Sequence, residues 1–445
     1  MQRVLIANRG EIALRIIKTC KKMGIETVAI YSDADAGLPY VQEATTAVRI
    51  GEPPVAKSYL QAQQILHAAK NAGADGIHPG YGFLSENAEF AELVEKEGLI
   101  FIGPKPETIR LMGDKVASRA VMMQAGVPVV PGSEGGIAAL EEAKEIAERI
   151  GYPVMLKASS GGGGIGMVKC ADNGDLEKSF ASVKARAKAY FGSDEVFLEK
   201  FILNARHIEV QVFGDGNGNI VHLFERDCSV QRRNQKVVEE SPSPFLSDQA
   251  RAQLFETALN AARAVDYKNA GTIEFIFDEQ ENFYFLEMNT RLQVEHAVTE
   301  EVTGIDLVEW QILTARGEAL PKNQEDIKSK GHAFEFRLYA EDPEKFLPSP
   351  GKIELFEVPA GEGIRVDYGY KSGDAVTPFY DPMIAKCILS GETREVAMER
   401  ARAFFEKLTI TGIKSNAPLF TKILTNPDFT KGNYTTSFLQ TKIKT

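Results

Sequence analysis

Apolar positions along this chain follow two periods. Over the first hundred residues, short apolar runs alternate with amphipathic stretches of helical period. Arg3-Val-Leu-Ile-Ala7 reads as a buried strand, Glu11 to Met23 as a helix stopped by Gly24, and Thr27-Val-Ala-Ile-Tyr31 as the next strand. Gly76-Ile-His-Pro-Gly-Tyr81 and Ile100-Phe-Ile-Gly103 continue the series. This rhythm predicts an open parallel sheet with helical crossovers. Residues 104 to 130 read as helical, and Gly126-Val-Pro-Val-Val-Pro131-Gly marks a boundary. Residues 131 to 203 carry a helix, a strand, a glycine run and a strand-helix-strand, enough for a small separate lobe. From residue 330 the character is β-rich, with Pro343, Pro348, Pro350 and Pro378, and ends in a helix and short strands.

The period-2 pattern is most informative in Gly271-Thr-Ile-Glu274-Phe-Ile-Phe and Phe283-Tyr-Phe-Leu-Glu287-Met-Asn289. Alternation puts Thr272, Glu274 and Ile276 on one face of the first strand, and Phe285, Glu287 and Asn289 on one face of the second. The polar turn Asp278 to Asn282 lets the two pair antiparallel and bring Glu274 and Glu287 together. Acids seldom enter a core without a partner. Two carboxylates and an amide oxygen are hard ligands suited to magnesium. A half-exposed sheet with solvent-facing acids has the same alternation.

At 445 residues the chain is too long for one simple core, and several domains are expected. With 44% apolar and 25% charged residues its composition is that of a globular protein. No apolar run approaches membrane-spanning length, and Met1-Gln-Arg-Val-Leu-Ile-Ala starts directly on a strand, so a cytoplasmic protein is expected. A net charge of −11 argues against nucleic acid as the partner. Cys20, Cys170, Cys228 and Cys387 are scattered and fit reduced structural thiols.

Further segments carry candidate chemistry. Gly161-Gly-Gly-Gly164-Ile-Gly166 lies between two strand-like runs, so it reads as a glycine hairpin whose bare backbone can approach phosphate. Lys157, one strand residue before it, supplies a point charge. Glu195-Val-Phe-Leu-Glu199-Lys200-Phe-Ile202 is a strand end able to offer backbone groups to a base and Glu199 to a hydroxyl. Glu225 to Lys236 gathers four basic residues in an acidic chain, as a cleft for anions would require. Arg291 can fork onto a planar anion, and Glu295 is a candidate general base. On Ala333-Phe-Glu-Phe-Arg337-Leu-Tyr, the residues Phe334, Phe336 and Leu338 share one face, which leaves Arg337 with Glu335 and Tyr339 on the other.

Together these segments resemble biotin carboxylase, of the ATP-grasp superfamily. The likeness runs from Ile6-Ala-Asn-Arg-Gly-Glu-Ile through His78-Pro-Gly-Tyr-Gly-Phe-Leu-Ser-Glu-Asn87, Met112-Gly-Asp-Lys115, the glycine run and Arg226-Asp-Cys-Ser-Val-Gln-Arg-Arg233. It continues through Glu287 to His296, Leu347-Pro-Ser-Pro-Gly351 and Phe379-Tyr-Asp-Pro-Met-Ile-Ala-Lys386. The resemblance implies a Rossmann-like N-terminal domain over 1–112 and an ATP-grasp domain over 113–329, with a mobile lid at about 131–203. A β-rich C-terminal domain would cover 330–445. The fold class is thus α/β plus α+β.

The resemblance also implies site roles. Lys115 and Lys157 would grip ATP phosphates, with Gly161, Gly162, Gly163, Gly164 and Gly166 closing over them. Glu199, Lys200 and Ile202 would hold adenine, with His207 and Gln231 near the ribose. Glu274, Glu287 and Asn289 would hold Mg2+ or Mn2+. Lys236, Arg291, Gln293, Val294 and Glu295 would surround bicarbonate, and Tyr81 and Arg337 would face biotin, with Asp381 a candidate to orient Arg337. The chain lacks a Met-Lys-Met biotin-attachment motif. A stand-alone subunit is therefore expected, served by a biotin carboxyl carrier protein and a carboxyltransferase that selects the acceptor, and a homodimer.

Three positions depart from the family pattern. Ile165 stands where arginine or lysine is common, Asn234 where histidine is common, and Ala297 where proline is usual. The alternatives are another ATP-grasp ligase or a catalytically impaired nucleotide-binding scaffold. A Rossmann oxidoreductase is disfavoured, because the first strand runs into Asn8-Arg-Gly-Glu without GxGxxG.

Overall fold

The computed structural model describes residues 1–159 and 166–443. The first strand, Arg3–Ile6, lies between Glu26–Ser32 and Gly76–His78, with Thr46–Gly51 and Ile100–Phe101 at the edges. All four pairings are parallel, as the alternating rhythm requires. The helix Gly10–Lys22 buries Ile12, Ile16 and Ile17 against this sheet and the core behind it. At the carboxyl end of the strands, Asn8 Nδ2 donates to the carbonyls of Pro79 (2.8 Å) and Tyr81 (2.7 Å). Gly80 takes φ +63° there, and a Cβ on it would lie 2.9 Å from Asn8 Nδ2. Glycine is thus required for the turn that presents Tyr81.

The centre of the molecule is an antiparallel sheet of eight strands. Its order is Phe283–Asn289, Lys268–Phe277, Arg206–Asp215, Ile220–Arg232, Gln235–Ser241, His332–Tyr339, Met383–Gly391 and Ile364–Tyr368. The pairing of Gln235–Ser241 with His332–Tyr339 carries it straight across residue 330. The β-rich C-terminal segment therefore extends the central sheet and adds only two small two-stranded sheets of its own, Gly351–Lys352 with Ala375–Val376 and Leu355–Glu357 with Thr409–Thr411. Phe334, Phe336 and Leu338 enter the main core, as alternation predicts. The chain's last part is more helical than expected, with Arg394–Lys407, Ala417–Thr425, Pro427–Thr430 and Phe438–Lys442 around one short strand, Thr409–Thr411.

Residues 131 to 203 form the small lobe. Met167–Cys170, Val154–Ala158 and Val196–Lys200 make a three-stranded antiparallel sheet under the helices Leu140–Ile150 and Asn173–Phe191. Leu156, Leu176, Val183 and Leu198 belong to a hydrophobic cluster of the lobe's own. Val154–Ala158 and Met167–Cys170 flank the glycine run as the two arms of a hairpin. Gly161, Gly162, Gly163, Gly164 and Ile165 lie outside the described residues, while Gly166 closes the run with φ +77°. Residues 104 to 130 hold two helices, Pro106–Gly113 and Lys115–Gln124, and Asp114 caps the second by accepting from the amides of Val116 and Ala117 at 2.9 Å. Among the described residues no helix is long and apolar enough to cross a membrane.

Candidate active site

The lobe, the central sheet and the tip of the parallel sheet enclose a cleft of about 680 Å³. Every candidate in the described residues except Gly166 lines it: Tyr81, Lys115, Lys157, Glu199, Lys200, Ile202, His207, Gln231, Lys236, Glu274, Glu287, Asn289, Arg291, Gln293, Val294, Glu295 and Arg337.

The floor is a cross-strand row. Glu287 stands opposite Glu274, Glu274 opposite Glu209, and Glu209 opposite Arg226. Three adjacent carboxylates repel unless cations intervene. Arg226, fully buried, donates from Nε to Glu209 at 2.6 Å and from its other nitrogens to Gln211, Thr272 and Thr299. Lys236 Nζ reaches Glu209 at 2.6 Å, Glu274 at 2.7 Å and Glu295 at 2.6 Å. One ammonium thus spends its three donors on three acids. Burial opposes charge on Glu274, but Lys236 and His207 outweigh it and hold the carboxyl well below its ordinary range.

Glu287 differs. It has no hydrogen-bond or ion-pair partner among the described residues, and burial together with Glu274 pushes its carboxyl up. The end of the row near Lys115 is therefore its least compensated, and Glu287 and Glu274 together fit a divalent cation. Asn289 donates from Nδ2 to Glu274 at 2.9 Å, and its oxygen accepts from Arg291 at 3.1 Å, so here it links acid to arginine.

Arg337 is held between two acids. Its Nε donates to Glu239 at 2.6 Å and its terminal nitrogen to Glu295 at 2.9 Å. Burial pushes Glu239 up to about 7, against the pull of Arg337. Glu295, also fully buried, is drawn well below the carboxylate range by Lys236, Arg337 and Arg226 despite its desolvation. Asp381 lines the same cleft but accepts from the Met383 amide at 2.9 Å; Glu239 and Glu295 orient the arginine. Arg291 pairs through Nε with Glu86 at 2.7 Å and reaches Gln293 Oε1 at 3.0 Å.

The other end is looser. Lys157 and Glu199 pair with each other across the lobe's sheet, and Arg119 lies 3.4 Å from the same carboxylate. Lys200 donates from Nζ to the carbonyls of Gly151 and Tyr152 at 2.8 Å and from its amide to the Pro131 carbonyl at 2.7 Å. His207 lies 2.9 Å from Glu274 and pairs with Gln231 at 2.8 Å. Burial pulls the Lys115 ammonium below its ordinary value.

Sequence reasoning missed Glu86, Arg119, Glu209 and Glu239. Glu209 had a signal: in His207-Ile-Glu-Val-Gln211 the apolar residues alternate with polar ones, and Glu209 and Gln211 turn to Arg226. Two bulges had none. An extra residue, Leu286, sits between the Glu287 and Phe285 pairings, so Phe285 opposes Phe275 in the apolar cluster and does not share the face of Glu287. Val237 is the extra residue between the Lys236 and Val238 pairings, and it turns Lys236 toward the face that carries Glu239. Two of the three departures sit quietly, and Ile165 lies outside the described residues. Arg233 and Asn234 are the two left-handed residues of a tight hairpin, where asparagine is at ease. Ala297 is buried in the first turn of the helix His296–Thr303, where proline is also compatible.

Comparison with known proteins matches this architecture throughout. Residues 1–109 match the biotin carboxylase N-terminal domain, 114–323 the carbamoyl-phosphate synthase L chain ATP-binding domain, and 335–441 the biotin carboxylase C-terminal domain. A biotin carboxylase of Halalkalibacterium halodurans is 55% identical over 443 residues, covering 100% of this chain and 98% of that protein. A Campylobacter jejuni biotin carboxylase, solved as a complex with a β,γ-ATP ligand, superposes with TM-score 0.97 at 48% identity, covering 99% of this chain and 98% of that one. The biotin carboxylase domain dimer of Hydrogenobacter thermophilus 2-oxoglutarate carboxylase, solved with MgADP, ADP and bicarbonate, gives 0.96 at 49% identity, over 99% and 97% of the two chains. With an acid row, a lysine-bridged anion end and three matched domains, the chain belongs to the biotin carboxylase family.

Proposed function

We propose that this protein carboxylates biotin on a carrier protein, using ATP and bicarbonate and releasing ADP and phosphate. The observation that carries this reading is Lys236 and Arg337 converging on Glu295, in a cleft whose far end holds Lys115 and Lys157. Bicarbonate binds against Lys236, Arg291, Gln293 and the backbone of Val294. The site's cations are the reason an anion enters a chain of net charge −11. Lys115 and Lys157 bind the ATP phosphates, with the Gly161–Gly166 hairpin over them, and the adenine lies along Glu199, Lys200 and Ile202, with His207 and Gln231 toward the ribose. Glu274 and Glu287, with Asn289, hold the magnesium or manganese that accompanies ATP; when bound, the ion neutralises phosphate charge.

Glu295 is the base. As a carboxylate tied to two cations it is a weak one, but an anion competing for Lys236 raises its proton affinity. It takes the bicarbonate proton as the anion's oxygen bonds to the γ-phosphorus and the bond to ADP breaks. The carboxyphosphate formed yields carbon dioxide and phosphate, and water must be kept from it. The phosphate accepts the ureido N–H proton, Arg337 stabilises the charge on the ureido oxygen, and the nitrogen bonds to carbon dioxide beside Tyr81. We take the domain divisions as 1–112, 113–329 and 330–445, with 131–203 as the lid, a reading supported by the lobe's separate hydrophobic cluster. The working assembly is a cytoplasmic homodimer served by a biotin carboxyl carrier protein and a carboxyltransferase.

The test is ADP release with magnesium and ATP, with and without bicarbonate and free biotin. Biotin is expected to stimulate release only when bicarbonate is present. Loss of that dependence on bicarbonate would reject the reading in favour of another ATP-grasp activity.

A further inference from the structure

Lys386 carries none of the roles above, yet it is fully buried in the strand Met383–Gly391 behind the cleft. It stands directly opposite Arg337 on the neighbouring strand. Its Nζ donates to the Val294 carbonyl at 2.7 Å and lies 3.4 Å from Glu11 Oε2. Glu11, buried at the start of the first helix, accepts the Tyr81 hydroxyl proton through its other oxygen. Among the described residues Glu11 Oε2 has no hydrogen bond, and the lysine is its one ion-pair partner. A buried ammonium and a buried carboxylate are costly to keep unless they hold something in place. Here each holds one wall of the cleft, because Val294 and Tyr81 both line it.

We propose that Lys386 is a positioning residue for the anion end of the cleft. Its ammonium fixes the Val294 carbonyl directly, and fixes the Tyr81 hydroxyl through Glu11. One buried ion pair, joining the first helix to a C-terminal strand, thereby sets the bicarbonate seat and the biotin wall together. Lys386 touches neither reactant. This inference rests on the proposed function and names a residue that tunes it.

The test compares Lys386→Met, Glu11→Gln and the double variant by steady-state ADP release and by melting temperature. Lys386→Met is expected to raise KM for bicarbonate about tenfold, with KM for ATP within about twofold of the parent. Glu11→Gln keeps the lysine and is expected to raise KM for biotin about threefold, with KM for bicarbonate little changed. The double variant removes both charges, so melting temperature recovers relative to Lys386→Met while KM for bicarbonate stays high. A merely structural pair would recover both together, and that result overturns the proposal. So does an unchanged bicarbonate KM in a folded Lys386→Met. Should Lys386→Met fail to fold, the double variant decides alone by the same bicarbonate KM. A parent protein indifferent to bicarbonate rejects the proposed function itself, whereas a responsive parent with an unchanged bicarbonate KM in folded Lys386→Met rejects this inference only.

Discussion

The two ends of the cleft are built differently. At the anion end, Glu295, Glu209 and Arg226 are fully buried, and each charge is met by a partner across a strand of the eight-stranded sheet. At the nucleotide end, Lys157 pairs with Glu199 on a three-stranded lobe that packs around its own small cluster. Charges embedded in a continuous sheet are pre-aimed and pay little reorganisation when an anion arrives. A lobe with a separate core can move as a unit and shut over phosphates, at the cost of a looser resting arrangement. The difference teaches that one end of the cleft rests on a continuous sheet and the other on a lobe with a core of its own.

Five substitutions probe that division. Glu295→Gln, which keeps the shape and removes the base, should lower biotin-dependent ADP release by about 10³-fold, read in the bicarbonate-dependent assay. Residual turnover above a tenth of the parent's would place the base elsewhere. Arg337→Met should cost roughly 10²-fold in the same rate, with KM for ATP nearly unchanged, because it removes one stabiliser at the rigid end. If KM for ATP rises with it, the two ends are not independent. Lys157→Gln should act oppositely, raising KM for ATP by about tenfold and leaving KM for bicarbonate within about twofold.

Glu240→Gln tests the rigidity from the far face of the sheet. Glu240 accepts from His332 at 2.6 Å and from Arg394 at 2.7 and 2.9 Å. Burial opposes its charge, but these donors outweigh burial and bring the carboxyl down to about 2 from an ordinary 4.5. A depressed acid contributes stability above its unfolded value and loses it as pH falls through the folded one. The variant should therefore be less stable by about 3 kcal/mol near pH 7, by denaturant unfolding, with the gap narrowing between about pH 4.5 and 2. A gap independent of pH over that window would show that shape, not charge, is at stake. Asn234→His should matter least among these changes, because both residues tolerate the left-handed turn: less than about threefold in any rate constant.

Much of this was legible in residue patterns. Period-2 alternation put Glu274 opposite Glu287 and Arg337 on the face away from Phe334 and Phe336. Glycines between strand-like runs identified the hairpin arms Val154–Ala158 and Met167–Cys170. The partners of these residues were not legible. Glu86 is 205 positions from Arg291, and Glu239 is 98 from Arg337. The bulges at Leu286 and Val237 shift a face by one residue, and a local period cannot announce its own interruption.

By itself the amino-acid sequence determined most of the elements, the parallel sheet and the family, because periodicity and motif chemistry are local properties carried by neighbouring residues. Only the tertiary structure decided that one lysine answers three acids, that the central sheet runs on past residue 330, and that Lys386 stands behind Val294. Those facts depend on which strands become neighbours. Long-range pairing and burial choose them, and a buried charge finds its partner in space whatever the distance along the chain.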